Sequence, residues 1–382
     1  MRMIEKAELR KALLQARQYT NALLDDLDDA QLRGPRLDCV NPMLWELGHV
    51  GWFQEYWGLR WRGAEHTPSA PMLVDADRWW DSRHVAHDTR WDLNLPSRLE
   101  TRRYLENVLD AALERLEQAV EPDALYFLQL ALYHEQMHGE AFAYTRQTCA
   151  YPAPPVARGA RKGEAGDVRL AGGTFERGAP ADARGFVFDN EKWAHRETVA
   201  PFSVSRRTVT QREFADFVDD EGYRRRVLWS PAGHEWRDRT RAVHPRYWRR
   251  GVGGGWEARR FDCWHPLAPD EAMVHVTRHE AEAWCRWAGR RLPSESEWEY
   301  AALAGTIAAG NVWEWTSSSF DPYPGFQADA YAAYSAPWFG THASVRGGSL
   351  ATSTSLIHPK FRNFYLPERA DIFVGFRTCA LS

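Results

Sequence analysis

Leu130-Ala-Leu-Tyr-His134-Glu-Gln-Met-His138-Gly-Glu140 reads as helix, with two histidines four residues apart on one face. Phe127, Leu130, Ala131 and Ala141 share that face at helical spacing, so both imidazoles point into a core. A helix that buries two imidazoles must sit among other helices and find partners for the ring nitrogens. Neutral imidazoles at i, i+4 suit one divalent iron, zinc, copper or nickel ion. Two core histidines with ordinary hydrogen-bond partners would give the same pattern. His134-Glu135-x-x-His138 also fits the zinc-protease pattern, with Glu135 as general base. That reading lacks a third ligand. Ala141 and Tyr144 stand where the metzincin extension needs Gly and His, and Tyr151-Pro-Ala-Pro-Pro155 ends the helix soon afterwards.

Three further helices precede this one. Residues 3–31 carry a stripe of Leu9, Leu13, Ala16, Leu23, Leu24 and Leu27. Asn41-Pro42 reads as an N-cap with proline at the first helical position. The helix it opens has Trp45, His49, Trp52, Phe53 and Tyr56 on one face, so His49 is a third inward histidine. A long loop, 58–96, contains Asp81-Ser-Arg-His-Val-Ala-His87-Asp-Thr-Arg90-Trp91. Ser97-x-x-Glu100 is a capping box for a third helix with Leu105, Leu109, Ala112, Leu113 and Leu116 inward. Pro122 opens the fourth, which carries the histidine pair. Four amphipathic helices predict a bundle over residues 1–150. His49, His134 and His138 on facing helices then offer three nitrogens to one side of a metal, a three-histidine version of the facial triad of non-haem iron enzymes. Glu140 lies roughly 200° round the helix from His138, which argues against it as a fourth ligand and leaves it to pair with a neighbour or orient a ligand.

Residues 151–167, rich in Pro, Gly, Ala and charge, read as a linker. From 168 to 382 the texture changes to short strand-like runs between turns, such as Val168-Arg-Leu-Ala-Gly-Gly-Thr-Phe175, with helices over 210–221 and 277–288. The whole is an α+β chain of two domains. Its 382 residues are ample for both. A net charge of -4 gives no electrostatic reason to expect nucleic acid or an anionic membrane as partner. The basic run from Arg237 to Arg260, interleaved with tryptophan and glycine, reads as a solvated, hairpin-rich surface. Five scattered cysteines without a CxxC fit a reduced compartment. With no apolar run of spanning length and an amphipathic start, a cytoplasmic protein is expected, monomeric or dimeric.

The second half resembles the formylglycine-generating (sulfatase-modifying factor) fold, a C-type-lectin-like domain. The matching residues are Leu170-Ala-Gly-Gly-Thr-Phe175, Arg291-Leu-Pro-Ser-Glu-Ser-Glu-Trp-Glu-Tyr-Ala-Ala302, Gly310-Asn-Val-Trp-Glu-Trp-Thr-Ser-Ser318, Arg346-Gly-Gly-Ser349 and Gly375-Phe-Arg377. The first half resembles DinB-like four-helix bundles through Gly48-His49-Val50-x-Trp52-Phe53 and His134-x-x-x-His138-x-Glu140. In this order the two resemble the ergothioneine sulfoxide synthase family, which uses non-haem iron(II) and O2 to join a sulfur donor to hercynine (Nα-trimethylhistidine). The resemblance implies His49, His134 and His138 as the iron ligands. Trp45-Glu-Leu-Gly-His-Val-Gly-Trp-Phe-Gln-Glu-Tyr-Trp57, the Asp81–Trp91 loop and Phe188-Asp-Asn-Glu-Lys-Trp-Ala-His195 are most similar to selenoneine synthases. Those attach selenium from a selenosugar, 1-seleno-β-D-glucose, to hercynine. The alternative within the family is sulfoxide formation from cysteine or γ-glutamylcysteine. Outside it stands a non-catalytic binding module.

What the resemblance implies for substrate is a turn at Arg362-Asn363-Phe364-Tyr365, with Asn363, Phe364 and Tyr365 as contacts and Trp315 as a further candidate. For Trp313 and Trp315, core packing of the lectin-like domain is the competing reading. Arg90 and His87 are candidates for the donor's polar groups. A tyrosine near the iron could donate a proton, and Tyr323, Tyr331 and Tyr334 lie in the right loop. A formylglycine generator is disfavoured because Cys379 has no neighbouring cysteine in sequence. One departure from the family is the short stretch 303–309, where a longer segment is normal.

Overall fold

A computed structural model of the chain describes residues 5–119, 122–155, 163–181 and 186–381. The chain divides into two compact units, Met1–Ala157 with Ala183–Phe186, and Arg158–Asp182 with Val187–Ser382. Part of the stretch read as linker, 156–162, lies outside the described residues.

The first unit is helical: α1 (Lys6–Ala22), α2 (Asp29–Arg33), α3 (Met43–Glu55), α4 (Ala76–Trp80), α5 (Arg98–Gln118) and α6 (Pro122–Thr148). The long helices α1, α3, α5 and α6 make the bundle. Leu9, Leu13 and Ala16 of α1 meet Leu109, Ala112, Leu113 and Leu116 of α5 and Leu128 and Leu132 of α6 in one apolar cluster. Burying each leucine contributes roughly 1.5–3 kcal/mol, which is what holds helices of such mixed composition together. The capping box at Ser97 is present, with Glu100 bonded back to the Ser97 amide.

Three local expectations need correction. The first helix does not run to residue 31 (residues 3 and 4 lie outside the described residues). It ends at Ala22, because side chains from elsewhere take the carbonyls that a longer helix would use. Arg146 of α6 donates to the carbonyl of Leu23, and Arg98 of α5 to those of Leu24 and Leu27. Asp28 then caps a separate short helix, with Gln31 closing the box. Asn41 is not a cap: Pro42 holds that position without a side-chain bond, and Asn41 Oδ1 accepts from Arg90 instead. Within the 58–96 loop stands α4, a five-residue helix whose carbonyls matter below.

α3 was expected to have one inward face. It is buried at every position except Leu44, since α2, α4, α5 and α6 all pack on it. An all-round apolar helix belongs in the middle of a fold.

The second unit is α+β. In chain order it comprises β1 (Asp167–Leu170), β2 (Gly173–Arg177), β3 (His195–Val199), β4 (Phe202–Ser205), α7 (Gln211–Asp219), α8 (Pro231–Thr240), β5 (Trp248–Arg250), β6 (Trp256–Arg260) and β7 (Cys263–Pro266). Then follow α9 (Arg278–Trp287), β8 (Arg290–Arg291), α10 (Glu295–Leu303), β9 (Trp313–Ser319), β10 (Ala343–Arg346), β11 (Asn363–Tyr365), β12 (Val374–Gly375) and β13 (Cys379–Ala380). Two four-stranded sheets run β1-β4-β13-β8 and β11-β10-β9-β12, and β2-β3 and β5-β6-β7 form smaller ones. The sheet β5-β6-β7 is the expected basic hairpin surface. Its arginines lie on tryptophan faces, Arg250 over Trp256 at 3.9 Å and Arg249 over Trp264 at 4.1 Å.

The sequence reading admitted only α7 and α9 as helices here, and α8 and α10 are additional. Both carried start signals: Ser230 caps α8 ahead of Pro231, and Ser294 forms a capping box with Glu297. Among the described residues no helix is long and apolar enough to cross a membrane.

Candidate metal centre

His49 on α3 and His134 and His138 on α6 come together, with ligand atoms all within 4.8 Å of one another. Each imidazole is set by a different neighbour. His49 stacks on Trp45, one turn earlier, with ring centroids 5.0 Å apart and planes 9° from parallel. Its Nδ1 lies 2.8 Å from the carbonyl oxygen of Trp80. Trp45 Nε1–H donates to the carbonyl of Trp79 at 2.6 Å. Both acceptors are C-terminal carbonyls of α4, which no further turn of helix satisfies. A five-residue helix inside a loop thus aims a ligand. His134 lies flat on Phe53, 3.6 Å between centroids. His138 Nδ1 lies 2.6 Å from Glu46 Oε1.

These contacts decide which nitrogens face the centre. An Nδ1 beside a carbonyl or carboxylate carries the proton, so His49 and His138 present bare Nε2 lone pairs. His134 Nε2 lies 3.2 Å from His138 Nε2, and His134 Nδ1 is buried with no hydrogen-bond partner. With Nε2 bare on His134 as well, three lone pairs converge, and a cation among them gives each a partner while the His134 Nδ1–H keeps its apolar surroundings. The residues fit a metal. Burial above all pushes the basicity of His49 and His134 well below the usual imidazole range. Both rings therefore stay in the neutral form that ligates. Three neutral nitrogens and no carboxylate suit iron, copper, nickel or zinc over magnesium or calcium.

Glu135 is not available as the general base of a zinc protease. It is bonded to Arg17 of α1 at 2.8 Å with only 2% of its surface exposed. Glu46, one turn before His49, is the carboxylate that serves the centre. The spacing Glu46-x-x-His49 put it on the histidine's face and would have been the signal for it. Glu140 is buried and stands outside the cluster.

The close approach of α4 depends on Gly48. A Cβ there would meet the Trp80 indole at 2.1 Å. Gly48→Ala should therefore push Trp80 away, costing roughly 1–3 kcal/mol and weakening metal binding as His49 loses its acceptor. Denaturant unfolding and metal titration of that variant measure the two effects, and an unaltered metal affinity would remove α4 from its orienting role.

The remaining first-unit candidates are occupied in shaping the loop. Arg90 lies 3.8 Å over Trp45, on the side chain that stacks on His49, and donates to Asn41 Oδ1 and the carbonyl of Val85. Burial lowers its pKa to about 10. His87 Nε2 lies 2.8 Å from the carbonyl of Val40.

In the second unit, Asn363, Phe364 and Tyr365 form β11 and are half-buried, as are Tyr331 and Tyr334. Tyr334 is 6.2 Å from Tyr331 and 6.1 Å from Phe364 between ring centroids. Asn363 Nδ2 donates to the Tyr365 hydroxyl at 3.3 Å. Burial and then the charge of Glu191 push the Tyr334 phenol well above its usual range, so it keeps its proton. Two candidates lie apart from this group. Trp315 has no exposed surface and gives its N–H to the carbonyl of Val276, the core role that competed for it. Tyr323 is 4% exposed, with the guanidiniums of Arg177 and Arg362 4.7 and 4.1 Å from its ring.

Comparison with known proteins agrees with this division. Residues 12–142 match the DinB superfamily, and residues 153–308 and 306–381 match the Sulfatase-modifying factor enzyme 1-like domain. The hercynine oxygenase of Mycolicibacterium smegmatis is 31% identical over 98% of this chain and 99% of its own. That of Mycolicibacterium thermoresistibile is 32% identical over 97% of this chain and 94% of its own. The chain belongs to the hercynine oxygenase family. The formylglycine-generating enzyme of Streptomyces coelicolor is 35% identical but over 43% of this chain only.

All five cysteines are free thiols, and burial pushes Cys379 up to about 12, far from a reactive thiolate. The alignment to the M. smegmatis protein runs over 433 positions against 382 residues here. The domain match breaks at 306–308, in the short link between α10 and β9. That is where the sequence reading found a segment shorter than the family's.

Proposed function

We propose that this protein is an iron(II)- and O2-dependent oxidoreductase that joins 1-seleno-β-D-glucose to C2 of the hercynine imidazole. The observation that carries the hercynine half is the full-length likeness to proteins named hercynine oxygenase, together with a three-histidine cluster in which His49 and His134 are buried. His49, His134 and His138 would hold iron(II), which would supply the electrons that activate O2. The chain's own groups do the rest. Glu46 and the Trp80 carbonyl keep the ligand lone pairs turned inward. Asn363, Phe364 and Tyr365 hold hercynine, its trimethylammonium against aromatic faces. Tyr331 or Tyr334 delivers a proton, and burial keeps the Tyr334 phenol protonated. His87 and Arg90 form part of the donor's surroundings.

The preference for a selenosugar over a thiol amino acid rests on arginine usage in the first unit. A donor with carboxylates needs free guanidiniums. Arg83 is instead closed on Asp81 at 2.9 and 2.7 Å, and Arg60 on Asp77 by two bonds of 2.8 Å. Arg90 is held by neutral acceptors. A sugar asks only for hydroxyl partners.

The electron balance fixes what to look for. Hercynine, a selenol and one O2 give a selenoxide and one water, whereas a plain selenoether leaves hydrogen peroxide, or two waters if a reductant supplies two further electrons. The test is turnover of protein loaded with iron under anaerobic conditions, then given hercynine and O2 with selenoglucose, cysteine or γ-glutamylcysteine, and read by product mass. A selenium-bearing product is expected. A sulfoxide from a thiol donor would move the protein to the ergothioneine branch and keep the iron site. No O2 consumption with any donor would refute the enzyme reading and favour a binding module. Tyr365→Phe should weaken hercynine binding by about five- to tenfold, the worth of one hydrogen bond. Unchanged affinity by calorimetry would take Tyr365 out of the site.

A further inference from the structure

One guanidinium reaches all four long helices of the bundle. Arg17 on α1 donates to both carboxylate oxygens of Glu135 on α6, at 2.8 and 3.2 Å. It also donates to Gln54 Oε1 on α3 at 2.9 Å and to the Leu105 carbonyl on α5 at 2.5 Å. Arg17, Gln54 and Glu135 are 4%, 1% and 2% exposed, so the network is sealed from water. Its partners sit next to the metal centre along the chain. Glu135 follows His134, and Gln54 follows Phe53, whose ring lies on His134.

We propose that Arg17 is a positioning residue for the metal centre: it fixes the rotation and register of α6 against α3 so that His134 and His138 meet His49. This rests on the reading of the three histidines as metal ligands and goes beyond it, since Arg17 itself is no ligand. The geometric demand is severe. A rotation of α6 by about 10° carries a side-chain tip, some 5–6 Å from the helix axis, by about 1 Å. That is several times the roughly 0.2 Å tolerance of a metal–ligand distance. Leucine and alanine surfaces do not supply such precision. Apolar cores accept repacking and lose uniqueness before they lose stability. A sealed ion pair does supply it, because a slip would leave a buried charge unmatched. Such pairs add little net stability over an apolar replacement, and setting register is their best-attested use.

The test uses Co(II) as a spectroscopic probe in the full chain. Arg17→Met with Glu135→Leu removes both charges together and leaves no lone buried ion, so the double variant should fold with helical circular dichroism and a thermal midpoint close to wild type. It should nevertheless bind Co(II) at least about tenfold more weakly, the scale seen when ligand orientation is lost, with a shifted visible absorption spectrum. Wild-type affinity and spectrum in the folded double variant would overturn the proposal. Arg17→Lys provides a second route should the double variant not fold. It keeps the charge opposite Glu135 and loses the fork to Gln54 and Leu105. An intermediate loss of affinity is expected there, and a spectrum and affinity identical to wild type would again overturn the proposal. A wild-type chain that binds no Co(II) or iron would remove the metal reading itself, a different failure from an indifferent Arg17.

Discussion

Replacing His138 by alanine should leave the protein without bound iron and without turnover. Among the described residues three histidine nitrogens meet at the centre, and His138 Nε2 lies 3.2 Å from His134 Nε2. Removing a group that merely orients a ligand costs about 10–100-fold in metal affinity, so removing one ligand of three should exceed that range. The variant has a second, separable effect. Glu46 is 1% exposed and its Oε1 accepts from the His138 Nδ1–H, so alanine leaves this buried carboxylate only the long 3.5 Å bond from Asn41 Nδ2 to its other oxygen. Leaving such an acceptor unsatisfied costs roughly 1–3 kcal/mol or more. The thermal midpoint should therefore fall even without metal. Metal content by elemental analysis and a melting curve of metal-stripped protein read the two effects. Full iron occupancy in the variant would refute the ligand assignment.

The helical bundle and the meeting of its three inward histidines were legible in the sequence, because they rest on periodicity. An i, i+4 histidine pair on an apolar face and a third histidine among inward aromatics are patterns that survive without coordinates. The supporting groups were not legible to the same degree. The Trp80 carbonyl has no side-chain signature, and its place depends on Gly48 letting α4 approach α3. Arg17 sits 118 residues from Glu135, and no local rule pairs residues so far apart. The end of α1 was misread because its stripe continues through Leu27, while arginines from α5 and α6 take the carbonyls. Glu135 was misread as a possible base for a related reason. Sequence gives the spacing of a carboxylate and not the cation that occupies it. In the second unit, α8 and α10 had visible caps but are short, and short helices among turns are outweighed by their surroundings.

Glu295→Gln should be the most damaging single isosteric change in the second unit. The Glu295 carboxylate is the common acceptor for Arg362 (2.8 and 3.0 Å), Arg346 (3.0 Å), Arg177 (2.6 Å) and the Ser344 hydroxyl (2.7 Å). Side chains of Glu295, Arg346 and Arg362 are at most 2% exposed. Burial alone would push this carboxyl up, but Arg362, Arg346 and Arg177 together hold it far below the usual carboxylate range. A neutral amide takes the carboxylate partner from Arg362 and leaves Arg346 with Glu299 alone, at a cost of roughly 3–5 kcal/mol for a broken buried pair. The pH dependence follows from the sign of the shift. A carboxyl whose folded pKa is depressed stabilises fully above its unfolded value, about 4.3, and progressively less as pH falls toward the folded value. Wild type and variant should therefore differ most near neutral pH and converge in acid. A stability gap in denaturant titrations that stays constant from pH 7 to pH 3 would show that the carboxylate charge is not what matters. The consequence should reach substrate as well. Arg362, which Glu295 anchors, directly precedes Asn363, Phe364 and Tyr365, and also ties to the carbonyls of Asn190 and Asp321. Loosening Arg362 frees the strand proposed to hold hercynine while leaving the histidines of the other unit intact. The variant should accordingly retain its metal and show a raised KM for hercynine before any fall in kcat, the reverse of the His138 variant.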